Sequence, residues 1–182
     1  AQAIVFSLLL AKDQKTRTAE LKLLRKSLDQ KRVDIISELA DEVVEIHSTL
    51  KLSLTDLAIP SLRHLSAGEY DRFRKLAHEL IASDRQVDLF EFALLQVVTR
   101  HLETSFGRRR PPRIKYNNFR RLTDDAGVLL STLAALGHPN KPEQADTAFQ
   151  AAAAALKEAT GFSVAHKSGK ECGLEAIEAS LK

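Results

Sequence analysis

Ser66-Ala67-Gly68-Glu69-Tyr70-Asp71-Arg72-Phe73-Arg74-Lys75-Leu76-Ala77-His78-Glu79-Leu80-Ile81 carries the two signals that decide the fold. Its opening residues spell a capping box, in which the Ser66 hydroxyl accepts the Glu69 backbone N–H and the Glu69 side chain reaches back. Tyr70, Phe73, Leu76, Ala77, Leu80 and Ile81 then recur at helical spacing and line one face. Residues 84–87 read as a turn, and Asp88 with Glu91 as a second capping box. The helix it opens carries Phe90, Ala93, Leu94, Val97, His101 and Leu102. Two capped helices joined by a short turn predict an antiparallel helical hairpin.

Upstream of the hairpin the same period continues. Residues 29–50 place Ile36, Leu39, Val43, Ile46 and Leu50 at heptad-like spacing, which predicts one long amphipathic helix. Residues 52–65 are less regular, and Pro60 marks a break or a fresh first turn. Leu21, Leu24 and Leu28 make a further stripe opposite Lys22, Arg25 and Lys26. The first stretch, residues 3–11, is apolar throughout but far shorter than the roughly 20 residues of a spanning helix. It lacks a cationic leader and a cleavage pattern, so it reads as a helix buried on all sides.

Downstream, residues 105–115 break every periodicity with Gly107, a run of arginines and Pro111-Pro112. Beyond this loop, Phe119, Leu122, Ala126, Leu129, Leu130 and Leu133 predict a helix with those residues inward, ended by Gly137 and Pro139. Residues 142–160 form an Ala-rich helix stopped by Gly161, whose Ala151–Ala155 run would admit a close neighbour. Leu174, Ile177 and Leu181 begin a last helix. No strand-like alternation persists, so the fold class is all-α, an antiparallel helical bundle. The organisation is one domain over residues 1–182, or two helical lobes, 1–104 and 116–182, joined by the basic loop 105–115.

Composition narrows the function. The 182 residues hold 27 Lys and Arg against 24 Asp and Glu, a net +3 too small for a general nucleic-acid coat. The single Cys172 excludes an internal disulfide framework and a multi-cysteine zinc site. The absence of Met predicts that the chain begins at a cut in something longer, and the chain as given reads as soluble.

Catalytic patterns fail on inspection. His78-Glu79 would need a second His at the position of Ala82 to clamp zinc. His47, His64, His101, His138 and His166 show no ligand spacing. Asp84, Asp88 and Glu91 gather three carboxylates, yet a calcium loop starting at Asp84 would find Gln86, Leu89 and Leu95 at its key places. Capping accounts for Asp88 and Glu91, as it does for Ser66 and Glu69. Neither a phosphate loop nor a nucleophile elbow occurs. The strongest charge anomaly is Arg108, Arg109, Arg110, Arg113, Lys115, Arg120 and Arg121, interleaved with Tyr116 and Phe119. It reads as a solvated loop, or as a surface for anionic lipid or a protein partner, and less readily for nucleic acid.

One stretch has a family look. It runs Leu52-Ser53-Leu54-Thr55-Asp56-Leu57-Ala58-Ile59-Pro60-Ser61-Leu62-Arg63-His64-Leu65-Ser66, then Tyr70, Phe73 and Leu80-Ile81-Ala82-Ser83-Asp84. Val87-Asp88-Leu89-Phe90-Glu91-Phe92 and Arg100-His101-Leu102 complete it. The stretch resembles the C-terminal soluble region of bacterial membrane-bound zinc metallopeptidases of the HtpX/CAAX-protease type. It is also similar to the TerB-like helical module, although Arg85 stands where that module's turn prefers Gly. The resemblance covers roughly residues 50–103. It implies a non-catalytic accessory or regulatory domain on the cytoplasmic face of the inner membrane. Zinc and hydrolysis would belong to the parent protein, whose His-Glu-x-x-His helix has no counterpart in this chain. No cofactor falls to the chain itself, and whether it counts as part of an enzyme depends on that parent. Its implied partners are the parent's own membrane-embedded protease region, protein substrates and an anionic lipid surface. The alternative is an independent binding module that engages nucleic acid or anionic lipid through the arginine loop.

Overall fold

The computed structural model describes residues 1–83, 89–108 and 116–180, and every regular element among them is helical. The chain divides into two compact units, Ala1–Pro111 and Pro112–Lys182.

The first unit is built around α1 (Gln2–Leu9), eight residues too few to be stable by propensity alone. It holds its shape because Val5 through Leu10 are buried, with α1 packed against α3 (Gln30–Val44), α4 (Ser48–Leu62) and α5 (Ala67–Ser83). The apolar opening stretch is thus the centre of a core that includes Phe6, Leu24, Ile36, Leu62, Leu80, Leu94 and Leu102. A buried polar knot closes the end of α1. Glu20, 2% exposed and carried on α2 (Gln14–Leu24), accepts the Ala11 N–H at 2.8 Å. Arg17 donates from Nε to the Ala11 carbonyl at 2.9 Å and from Nη1 to Asp41 Oδ1 of α3 at 2.7 Å. The orphaned backbone groups at the exit of α1 are satisfied by charged partners, and α2 is fixed to α3 in the same stroke.

Three expectations are corrected here. The single helix over 29–50 is two: Asp29 caps α3 by accepting the Arg32 N–H at 3.0 Å, α3 ends at Val44, and α4 starts at Ser48. Pro60 does not break α4. It sits in the last turn on the exposed side, where water can serve the Asp56 carbonyl that loses its N–H donor. The hairpin's second helix, α6 (Leu89–Ser105), buries Leu94, Leu95, Val98 and Leu102, while His101 is exposed. Its face is therefore turned from the one read through Ala93, Val97 and His101.

The second unit centres on α7 (Thr123–Gly137), entered through a 3-10 turn at Phe119–Leu122. It packs against α8 (Pro142–Thr160) and α9 (Leu174–Ser180). Pro142 opens α8, and Gly161 ends it at φ +78°, a conformation that favours glycine, with its N–H on the Lys157 carbonyl at 2.8 Å. The inward face of α7 is rotated from the expected one, and Ala126 and Leu130 are only half-buried. Gly127, Val128, Ser131, Thr132 and Ala134 are buried, while Leu129, Leu133 and Leu136 are exposed at 44%, 39% and 38%. The reason is a set of distant backbone groups that demand hydroxyls. Ser131 Oγ accepts the Lys167 N–H at 2.9 Å, and Thr132 Oγ1 accepts the Gly173 N–H at 2.8 Å. A Cβ on Gly127 would lie 2.6 Å from the Ala165 carbonyl oxygen, so only glycine admits that segment. Along Ala151–Ala155, Ala152 and Ala153 are half-buried, while Ala151, Ala154 and Ala155 are exposed.

Candidate functional site

No helix among the described residues is long and apolar enough to cross a membrane, and none of their His, Cys, Asp and Glu side chains form a group that could hold a metal ion. His78 and Ala82 are both exposed on α5. His166 packs against Phe149 with ring centroids 4.6 Å apart and planes tilted by 56°, and Cys172 Sγ lies 3.5 Å from Thr132 Oγ1. Asp84 and Asp88 lie outside the described residues, and Glu91 is in the first turn of α6.

The arginine candidates separate. Arg109, Arg110, Arg113 and Lys115 lie outside the described residues. Arg108 is committed within the first unit: its two Nη atoms fork onto the two carboxylate oxygens of Asp71 on α5, one at 2.8 Å. This hydrogen bonding holds Asp71 below the usual carboxylate range and Arg108 above its own. The same guanidinium lies 5.2 Å over the ring of Tyr70, which stacks on Phe106 at 4.6 Å. Arg120 and Arg121 are exposed in the 3-10 turn, where Asn118 accepts the Arg120 N–H at 2.8 Å and Phe119 meets Phe162 at 6.4 Å. Asn118 is thus a cap, and Phe119 belongs to the packing of the second unit.

The site that geometry does assemble lies elsewhere, in the first unit. A cleft of about 450 Å³ opens between the start of α1, the corner joining α2 to α3, and one face of α5. Phe6, Phe73 and Leu76 form its floor, 1%, 3% and 5% exposed, with the two rings 5.2 Å apart and tilted. Leu28 and Leu65, both half-buried, form its walls. A second recess of about 310 Å³ shares Gln2, Phe6, Leu28, Arg32 and Leu65 with it, so the hollow continues past α1 toward Ile36 and Leu62. Volumes of this order suit small organic ligands.

Charge rims the cleft. Arg32, Arg72 and Lys75 face Glu69 and Glu79. Glu69 is the reciprocal cap the sequence predicts: its Oε2 accepts the Ser66 N–H at 2.8 Å and the Ser66 hydroxyl at 2.6 Å, while Ser66 Oγ accepts the Glu69 N–H at 3.3 Å. Those bonds hold its carboxyl below the usual range, helped by the charges of Arg72 and Arg32. Lys75 lies 3.8 Å from Glu79, and Arg32 places Nε 3.2 Å from Asp29. Arg72 makes no hydrogen bond or ion pair among the described residues.

Arg32, Arg72 and Lys75 escape the reading of the sequence. On one dimension they look like the solvated face of two amphipathic helices. The available signal was Arg72 and Lys75 flanking Phe73 and Leu76, which brings charge to the edge of an apolar stripe. No protein-family model, curated protein or solved structure matches the chain.

Proposed function

We propose that this chain is a non-catalytic helical binding module whose ligand occupies the cleft between α1, α3 and α5. The observation that carries this reading is the cleft itself, with an apolar floor fixed by core residues and a polar rim that can orient what enters. Phe6 and Phe73 belong to the main core, so the floor is rigid before any ligand arrives. A saturable fluorescence response to the neutral probe N-phenyl-1-naphthylamine tests it. One site per chain is expected, weakened by Leu65→Lys at the mouth. Absence of saturable binding, or binding indifferent to that substitution, overturns the reading.

The resemblance over residues 50–103 supplies a setting for such a module, as the accessory domain of a membrane zinc metallopeptidase whose own spans carry the catalytic helix. Reading the gene upstream of Ala1 tests that setting. A His-Glu-x-x-His helix among hydrophobic spans supports it, and an initiator Met immediately before Ala1 removes it. In the alternative, a module engaging nucleic acid or anionic lipid through its arginine loop, Arg120 and Arg121 and the exposed Tyr116 are among the described residues that could join the contact. Arg108, paired with Asp71, would have to exchange that partner to take part.

A further inference from the structure

We infer that the cleft selects a small anionic amphiphile, an apolar body bearing one carboxylate, sulfonate or phosphate, with its charged head at Arg32 and Arg72. The inference rests on the binding reading above and adds the chemical class of the ligand.

Three features of the rim lead to it. Cations outnumber carboxylates there, and both carboxylates already have partners, Glu69 in its cap and Glu79 beside Lys75. Arg72 is the exception, a guanidinium with neither hydrogen bond nor ion pair among the described residues, on the same helix face as Phe73 and Leu76. Arg32 faces the cleft from α3 and engages Asp29 through Nε. Guanidinium forks match the two or three oxygens of an organic anion, which gives direction as well as charge. A cation would meet Arg72, and a neutral body would leave it only the charge of Glu69, which the Ser66 cap already holds.

The shape favours a small molecule over a helix. Phe6, Phe73 and Leu76 are almost wholly buried and offer little apolar surface, and Leu28 and Leu65 are the other apolar side chains of the lining. An amphipathic helix needs a longer row of apolar seats for its successive anchors. The adjoining recess gives an apolar tail somewhere to continue, past α1 toward Ile36.

The test uses two probes with one aromatic body. 8-Anilinonaphthalene-1-sulfonate carries a sulfonate that N-phenyl-1-naphthylamine lacks. The full chain should bind the sulfonate at least about tenfold more tightly at low salt, in keeping with charge-assisted hydrogen bonds. The double variant Arg32→Gln/Arg72→Gln should erase that preference and leave the neutral probe unaffected. Its melting curve should match the parent's, since neither side chain is buried. Decanoate should displace the sulfonate probe in the parent, and decanol should do so less well. If both probes bind equally, or the double variant keeps the preference, the anionic class is wrong while the binding reading stands. If neither probe saturates, the binding reading itself fails.

Discussion

The two units solve the same problem with opposite materials. Around α1 the first unit buries large apolar side chains, and Arg17 and Glu20, among the polar side chains it encloses, serve one backbone exit. Around α7 the second unit buries Gly127, Ser131 and Thr132 beside a smaller apolar set, Val128, Ala134, Phe149 and Ile177, and leaves three leucines in the open. The first gains from area removed from water, the second from close approach and satisfied amides. The leucine count of a helix therefore does not settle which side faces in. A distant segment whose N–H groups need acceptors can turn a helix over.

The largest effect should come from the first unit's centre. Phe6→Ala removes a ring 1% exposed and should cost about 3–5 kcal/mol in urea unfolding. A loss below about 1 kcal/mol would mean that α1 is not the keystone. In the second unit, Gly127→Ala should destabilise by about 1–3 kcal/mol despite alanine's better helix propensity. The obstacle is the Ala165 carbonyl, a backbone atom that cannot swing aside. A stabilised variant would show that the segment yields easily. Thr132→Val keeps the shape and removes the acceptor of the Gly173 amide. It should cost roughly 1 kcal/mol and speed hydrogen exchange at Gly173, because a half-buried N–H is left unmatched. Leu133→Gln should change stability by no more than about 0.5 kcal/mol, since the side chain is 39% exposed. A large loss there would restore the leucine face to the core and undo the contrast.

Acidity separates the units most gently. Asp13, Glu69 and Asp71 of the first unit are all held below the ordinary carboxylate range by hydrogen bonds, from Thr16, Ser66 and Arg108 respectively. A lowered folded pKa contributes stability that is complete above the unfolded value, near about 4, and lost as pH falls through the folded one. In the second unit Lys167 is held above the ordinary lysine range by its hydrogen bond to Asp124. That contribution is complete below about 10.4 and lost as pH rises through the folded value. Peptide-resolved hydrogen exchange should therefore find the first unit loosening slightly in acid, whereas alkali should loosen the second through Lys167 and the first through the buried phenol of Tyr70, which is also held above its ordinary range. Asp13, Glu69 and Asp71 are exposed and Lys167 is half-buried beside the exposed Asp124, so the shifts should be small.

What the sequence disclosed was local. The Ser66–Glu69 cap, the Pro142 start and Gly161 stop of α8, and the burial of the opening helix all depend on residues a few places apart. The α3–α4 break carries no glycine or proline between Val44 and Ser48, so an apolar repeat ran straight through it. The rotation of α7 depends on amides at Lys167 and Gly173, dozens of residues away. The cleft was hidden for a related reason. Arg32 and Arg72 belong to different helices, and only the fold brings them to one mouth.

Tyr70 has a use beyond its place in the core. The chain has no tryptophan and two tyrosines, Tyr70 in the first unit and Tyr116 in the second, so each unit carries one natural chromophore. Their surroundings differ sharply. Tyr70 is fully buried, and its hydroxyl lacks a hydrogen-bond partner among the described residues. Burial, and then the charge of Glu103, push its phenol above the ordinary range. Tyr116 is 42% exposed and meets solvent directly. Replacing Tyr116 with Phe leaves a chain whose ultraviolet signal comes from the first unit, and replacing Tyr70 with Phe leaves the second. The unfolding of each half can then be followed in the intact chain without an added label.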